Sequence, residues 1–447
     1  MNVLSITAGA AGMYCGSCLR DNAQAVELLA RGHRVTLLPL YTPTSPDERN
    51  VSEKRVLFGG ISVYLQQYAP ILRKAPRFLD RLWDSPWVIN AFATRSISTD
   101  PRLLGDLTVS TLEGERGVLT REFDKLLDWI AGEPVPDVVN IPNSLLIGLA
   151  APLKRALTRP IVCTLQGEDL FLEGLVEPYR ARAIELIKRQ VPDVDVFLSV
   201  SDYYVPIMSK MLAIPPERIA VVPLGINVEG YGPARRGPGE GGPFRIGYFA
   251  RVAPEKGLHV LAEAYTMLRA KAPSTPMRLE AAGHIAAAQM PYLEQVKRTL
   301  AGAGLAGEFT YHGAIDRDGK IAFLRSLDVL SVPAPYEEPK GTFLLEAMAA
   351  GVPVVQPRKG AFPEIVEKTG GGLIVAPDDP AALADALFEL SRDPVRLAEL
   401  GRRGYAGVRE HYSIQKSVDR LLATYESVVA GFTQNSAPTR SAPRSSA

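Results

Sequence analysis

A chain of 447 residues, 46% of them hydrophobic, is long enough for two or three domains with cores of their own. Its formal net charge of +1 argues against a general nucleic-acid binder, and three cysteines make no disulfide framework, which fits a reducing, cytoplasmic setting. No apolar run reaches the ~18 residues of a spanning helix. The opening MNVLSITAGAAG lacks the basic start of a signal peptide and reads as a first strand.

In chain order, Val3 to Thr7 predicts a buried strand, Ala8 to Ser17 a glycine-rich loop, Leu19 to Ala30 a helix and Arg34 to Leu40 a second strand. Gly9, Gly12 and Gly16 do not fit the dinucleotide fingerprint, and no acidic residue ends the second strand, so a nicotinamide enzyme is disfavoured. Gly16 has two readings: a tight turn, or a place where backbone without a Cβ approaches a ligand. Cys15 and Cys18 have the spacing of a redox dithiol, but packing of small residues in the turn is the favoured reading. The five histidines make no ligand spacing. Asp193 and Asp195 read as a polar lead into the next strand rather than a metal pair, so no metal site is expected.

Residues 59–110 interrupt the alternation of strand and helix. Their aromatic and basic mixture allows a peripheral contact with the inner membrane surface through 70–95, although an insertion that packs on the domain and shapes an acceptor cleft is favoured. Strands at Asp137 to Ile141, Pro160 to Leu165 and Val194 to Val200 then complete a mostly parallel sheet in a domain spanning 1–228. Six glycines and three prolines mark 229–243 as a linker. A second α/β domain follows over 244–412, with strands at Phe244 to Ala250, Arg278 to Ala282, Glu308 to His312, Asp328 to Val332 and Val354-Val355. A last helix in 413–432 and a disordered tail over 433–447 finish the chain.

The most informative stretch is YEEPKGTFLLEAMAAGVP, from Tyr336 to Pro353. Thr342 is the expected N-cap of a short helix that Gly351 and Pro353 end. Helical side chains lean toward the N-terminus, so Glu346 is expected to point to the end where Glu338 sits. Unpaired amides around Gly341, Thr342 and Phe343 supply an anion site there. Two carboxylates for hydroxyls beside an anion site describe a sugar attached to a phosphate. Arg251, just past a strand end, and Lys256, just before a helix, are placed to hold a diphosphate.

With ARGHRVTLL, LSVSDYY, VVPLGIN, GYFARVAPEKG, FTYHGAI and GAFPEIVEKTGGGLIV, these motifs resemble the retaining glycosyltransferases of family 4 over nearly the whole chain. The resemblance implies an α/β GT-B fold, two Rossmann-like domains facing each other across a cleft, with the final helix crossing back to the first. It implies metal-independent transfer of a sugar, without a cofactor, from a UDP-, GDP- or ADP-sugar donor to a carbohydrate or lipid-linked acceptor. Glu338 would hold the donor sugar, Glu346 the ribose, Arg251 and Lys256 the diphosphate, the amides of Gly341 to Phe343 sugar and phosphate, and Gly16 would approach the donor. The chain departs from the family at Cys15-Gly16, at Pro339-Lys340 and at Gln166. Gln166 stands where many relatives have a histidine near the reacting sugar, and it cannot take a proton. A sugar-nucleotide epimerase, a phosphorylase and a non-catalytic sugar-nucleotide binder share the architecture and are the alternatives.

Overall fold

The computed structural model describes residues 1–9, 16–44, 46–58, 101–233 and 242–436. Cys15, most of the insertion with its stretch 70–95, and the middle of the expected linker lie outside them.

Two six-stranded sheets organise the molecule. The first contains β1 (Asn2–Thr7), β2 (Arg34–Pro39), β3 (Val138–Ile141), β4 (Ile161–Leu165), β5 (Val196–Ser199) and β6 (Ile219–Val221), in the order β2-β1-β3-β4-β5-β6. The second contains β7 (Phe244–Phe249), β8 (Met277–Ala282), β9 (Phe309–Tyr311), β10 (Val329–Leu330), β11 (Val354–Pro357) and β12 (Gly372–Val375), in the order β12-β11-β10-β7-β8-β9. Every strand pairing among the described residues is parallel. Helices cover both faces of each sheet, so central strands such as Val138–Ile141 and Ile161–Leu165 are buried at every position. β6 and β12 were not foreseen. Both are short edge strands, half-buried at each residue, and therefore lack a periodic signature.

Each sheet reverses its strand order once, between β1 and β3 and between β7 and β10. Open α/β sheets bind ligands outside the carboxyl ends of the strands at such a point. The loops leaving β1, β7 and β10 carry Gly16, Arg251 with Lys256, and Glu338 respectively. Four helices matter to that crevice: α1 (Gly16–Ala30), α2 (Arg317–Arg325), α3 (Thr342–Ala349) and α4 (Ile414–Ser436).

The crossover is double. Ile226, on its way out of the first sheet, donates its amide to Tyr412 O at 2.9 Å and accepts from the Ile414 amide at 2.8 Å. Beyond it, Ile414, Val418, Leu421 and Tyr425 of α4 pack against Val3, Val138, Val162 and Leu198 of the first sheet and Leu28 of α1. The helix continues to Ser436, which corrects the expectation of disorder from 433. Thr433 Oγ1 donates to Val429 O at 2.9 Å and so belongs to the helical turn.

Candidate active site

The start of α3 differs from expectation. The N-cap is Gly341, held at φ 64°, with Thr342 already helical and no side-chain cap present. First-turn amides of an uncapped helix keep unpaired N–H groups and the positive end of the helix dipole, so the anion site gains from the correction.

Glu338 lies in the loop before α3, 3% exposed, and forms a close ion pair with Lys256. Its Oε1 also accepts the Lys340 amide at 3.2 Å. Burial by itself would push this carboxyl up, yet the charges of Lys256 and Lys340 outweigh it and hold Glu338 below the usual carboxylate range. The loop is fixed from behind by Gly360, whose φ is 54° and where a Cβ would sit 2.2 Å from the Glu338 carbonyl oxygen. Ala361 donates its amide to that same oxygen at 2.9 Å. Lys256 also lies 5.9 Å from the ring centres of Tyr336 and Phe343, so its ammonium faces the start of α3.

Glu346 is 5% exposed and faces a different cation. Its Oε1 accepts from Lys320 Nζ at 2.8 Å, and Lys320, only 3% exposed, also reaches Asp47 of the first domain at 2.6 Å. Sequence reasoning missed Lys320, Arg317 and the Asp47-Glu48 pair, because nothing in their local spacing signals a contact across hundreds of residues. Gly16, Arg20, Asp47, Tyr231, Thr342 and Glu346 line one cleft between the two sheets. Within 4 Å of the position of a Cβ on Gly16 there is no atom of the described residues beyond its chain neighbours and its own helix. Arg251 stands apart from this group. Its side chain is 46% exposed and pairs with Glu255 on the same loop, while its carbonyl accepts from Tyr248 Oη at 3.1 Å.

Gln166 follows β4 in the first domain, next to Gly167, which lies against Pro339 and Lys340 of the second. Gln166 is 3% exposed, its Nε2 donates to Pro142 O at 2.5 Å and its amide to Glu168 Oε2 at 2.7 Å. Its Oε1 is buried without a partner among the described residues. Burial pushes the Glu168 carboxyl up, against the hydrogen bonds it accepts from Ser144 and the Gln166 amide. Next along, the Asp169 carboxylate accepts from Tyr204 Oη at 2.6 Å and from Tyr336 Oη at 3.0 Å, so one acid ties both domains together beside Glu338. A Cβ on Gly167 would lie 3.3 Å from the Pro339 side chain, and Ser201 Oγ donates to Pro339 O at 3.0 Å. The departure at Pro339-Lys340 is therefore part of the domain contact.

Of the aspartates leading into β5, Asp195 pairs with Lys154 at 2.8 Å and accepts the Ile161 amide at 2.8 Å. Cys18 and Cys163 are both buried. No helix among the described residues is long and apolar enough to cross a membrane.

Two family models cover most of the chain: residues 109–229 match Glycosyltransferase Family 4 and residues 234–407 match Glycosyl transferases group 1. The chain belongs to the family 4 glycosyltransferases. It is 32% identical over 188 residues to the lipopolysaccharide core biosynthesis mannosyltransferase LpsB of Rhizobium meliloti, covering 41% of this chain and 52% of that one. It is 28% identical over 282 residues to a GDP-mannose-dependent alpha-(1-6)-phosphatidylinositol monomannoside mannosyltransferase of Mycolicibacterium smegmatis, covering 59% and 70%. These matches thus span from about half to 70% of the relatives' own lengths. Among solved structures, sucrose-phosphate synthase from Thermosynechococcus elongatus superposes with a TM-score of 0.69 at 16% identity, over 96% of this chain and all of that one. Anabaena Alr3699/HepE in complex with UDP gives 0.67 at 17% identity with the same coverage. This family 4 chain has the two-domain α/β GT-B fold.

Proposed function

We propose that the chain transfers a sugar from a nucleoside-diphosphate sugar to an acceptor hydroxyl, with retention at the anomeric carbon and without a metal. The observation that carries this reading is the cleft in which Gly16 of the first domain faces Thr342 at the uncapped start of α3 and the buried Glu346 held by Lys320, next to the loop before α3 where a second buried carboxylate, Glu338, pairs with Lys256. In this reading Glu346 holds the ribose hydroxyls and Glu338 the hydroxyls of the donor sugar. The amides of Gly341, Thr342 and Phe343 receive sugar and phosphate oxygens, and Gly16 brings the first domain's backbone against the diphosphate. Lys256 sits between Glu338 and α3, where it stabilises the departing diphosphate, and Arg251 turns in from its exposed pair with Glu255. The bond from the anomeric carbon to the phosphate oxygen breaks, the acceptor oxygen bonds to the same face, and its proton passes to the leaving phosphate oxygen. Domain closure excludes water during that step.

The buried Oε1 of Gln166 accepts a hydroxyl of the reacting sugar, since its Nε2 is already committed to Pro142. The relatives' names support a hexosyl donor and a carbohydrate or lipid-linked acceptor, and a UDP complex among the structural neighbours supports a nucleotide in the cleft. Thermal unfolding with UDP, GDP, ADP and their sugars tests the reading, because a ligand at a hundredfold its dissociation constant adds about 2.7 kcal/mol. A shift with one base that persists with chelator and disappears in Glu346→Ala is expected. Absence of a shift with any of them would sink it. Binding without turnover across an acceptor panel would leave the non-catalytic binder in its place.

A further inference from the structure

Two neighbouring acids of the first domain, Asp47 and Glu48, meet two cations three positions apart on α2 of the second. Lys320 Nζ lies 2.6 Å from Asp47 Oδ2, and Arg317 Nη1 lies 2.7 Å from Glu48 Oε1. Arg317 also donates to Glu229 O at 2.8 Å, in the segment where the chain leaves the first domain. The i and i+3 spacing places both cations on one face of α2. Lys320 additionally holds Glu346, and all five side chains line the cleft that contains Gly16 and Thr342.

From this arrangement we propose that Lys320 is a positioning residue: it orients the nucleotide-holding carboxylate Glu346 and relays the state of the domain interface to it through Asp47. The proposal rests on the reading of Glu346 as a ribose acceptor. A buried ammonium with three donors fixes Glu346 Oε1 and leaves Oε2 for a hydroxyl. When the cleft closes, Asp47 supplies the second carboxylate that immobilises Lys320, so Glu346 is held in one rotamer. When it opens, Lys320 loses Asp47 and that restraint is lost. A ligand that needs Glu346 in its held position then binds the closed state better, and closure and nucleotide affinity rise together.

Two measurements test the relay. Small-angle scattering of the nucleotide-free chain compares wild type with Asp47→Asn/Glu48→Gln: the double variant is expected to have the larger radius of gyration, and an unchanged radius would overturn the latch. This arm does not alter Lys320 and needs no ligand. Titration calorimetry with the nucleoside diphosphate that binds then compares wild type, Asp47→Asn, Lys320→Met and the combination. Asp47→Asn is expected to weaken binding several-fold in the wild-type background and to have no effect in the Lys320→Met background, a non-additivity equal to the whole of that several-fold loss. Lys320→Arg, which keeps the charge, is expected to recover most of the affinity. Additive losses would overturn the relay while leaving the donor site standing. A wild-type chain that binds none of UDP, GDP and ADP would overturn the donor reading itself, and the relay with it.

Discussion

Gly16 separates contact with a ligand from support of the fold. No atom of the described residues outside its chain neighbours and its own helix lies within 4 Å of its Cβ position, and it starts a helix, where valine is no less favourable than glycine. Gly16→Val is therefore expected to unfold at the wild-type temperature and to lose the thermal shift with nucleotide; a variant that unfolds early would mean that the turn, and not a ligand, needs the glycine. Glu338 gives a pH-dependent counterpart. Its folded pKa lies below the ordinary glutamate value of 4.5, so its stabilising contribution is complete above about 4.5 and is lost as pH falls through the lower folded value. Glu338→Gln leaves the half-buried Lys256 without its carboxylate partner, and a cost of up to about 3 kcal/mol at neutral pH follows. That cost is expected to shrink as pH falls through the lowered folded value, where the wild-type carboxyl itself becomes neutral. Urea unfolding of both proteins at several pH values measures it, and a constant difference would contradict the ion pair.

At the scale of the element, α3 is useful only while the loop before it holds Glu338 in register, and Gly360 presses directly on that loop. In Gly360→Ala the left-handed backbone would cost about 1–2 kcal/mol, and the methyl group would overlap the Glu338 carbonyl. Loss of kcat/KM greater than the loss of stability predicts is expected, because the carbonyl must move and its side chain moves with it. Equal small losses would mean that the loop relaxes locally. The same element marks what sequence can report. Glu338, Glu346, the short helix and its glycine stop were legible because spacing, propensity and a terminator fall within one stretch of eighteen residues. The cap was misread as Thr342 because a left-handed Gly341 cap has the same local composition. Lys320 and Asp47 left no trace, since 273 residues separate them and each alone is an ordinary surface charge. Most strands were legible from buried apolar runs, whereas β6 and β12, short edge strands half-buried throughout, offered no such run.

For the whole molecule, the decisive feature is that the first sheet is finished by the last helix. Val418, Leu421 and Tyr425 are at most 2% exposed and close the face formed by Val3, Val138, Val162 and Leu198. The hydrophobic effect there binds the two domains into one unit, because α4 is reached only through the crossing at Ile226, Tyr412 and Ile414. Leu421→Ala removes a buried side chain from this face and is expected to cost about 2–5 kcal/mol. The location of the loss is the sharper prediction. Scanning calorimetry should find the first domain melting earlier while the second, whose core lies in a separate cluster, is much less affected. Nucleotide binding gives an independent reading of the same variant. Its ribose and phosphate contacts lie on the second domain, but Gly16, Asp47 and Glu48 lie on the first, so affinity should fall only at temperatures where the first domain has begun to unfold. If Leu421→Ala instead lowers the melting of the second domain first, α4 is not the closing element of the first sheet, and the double crossing is only a tether.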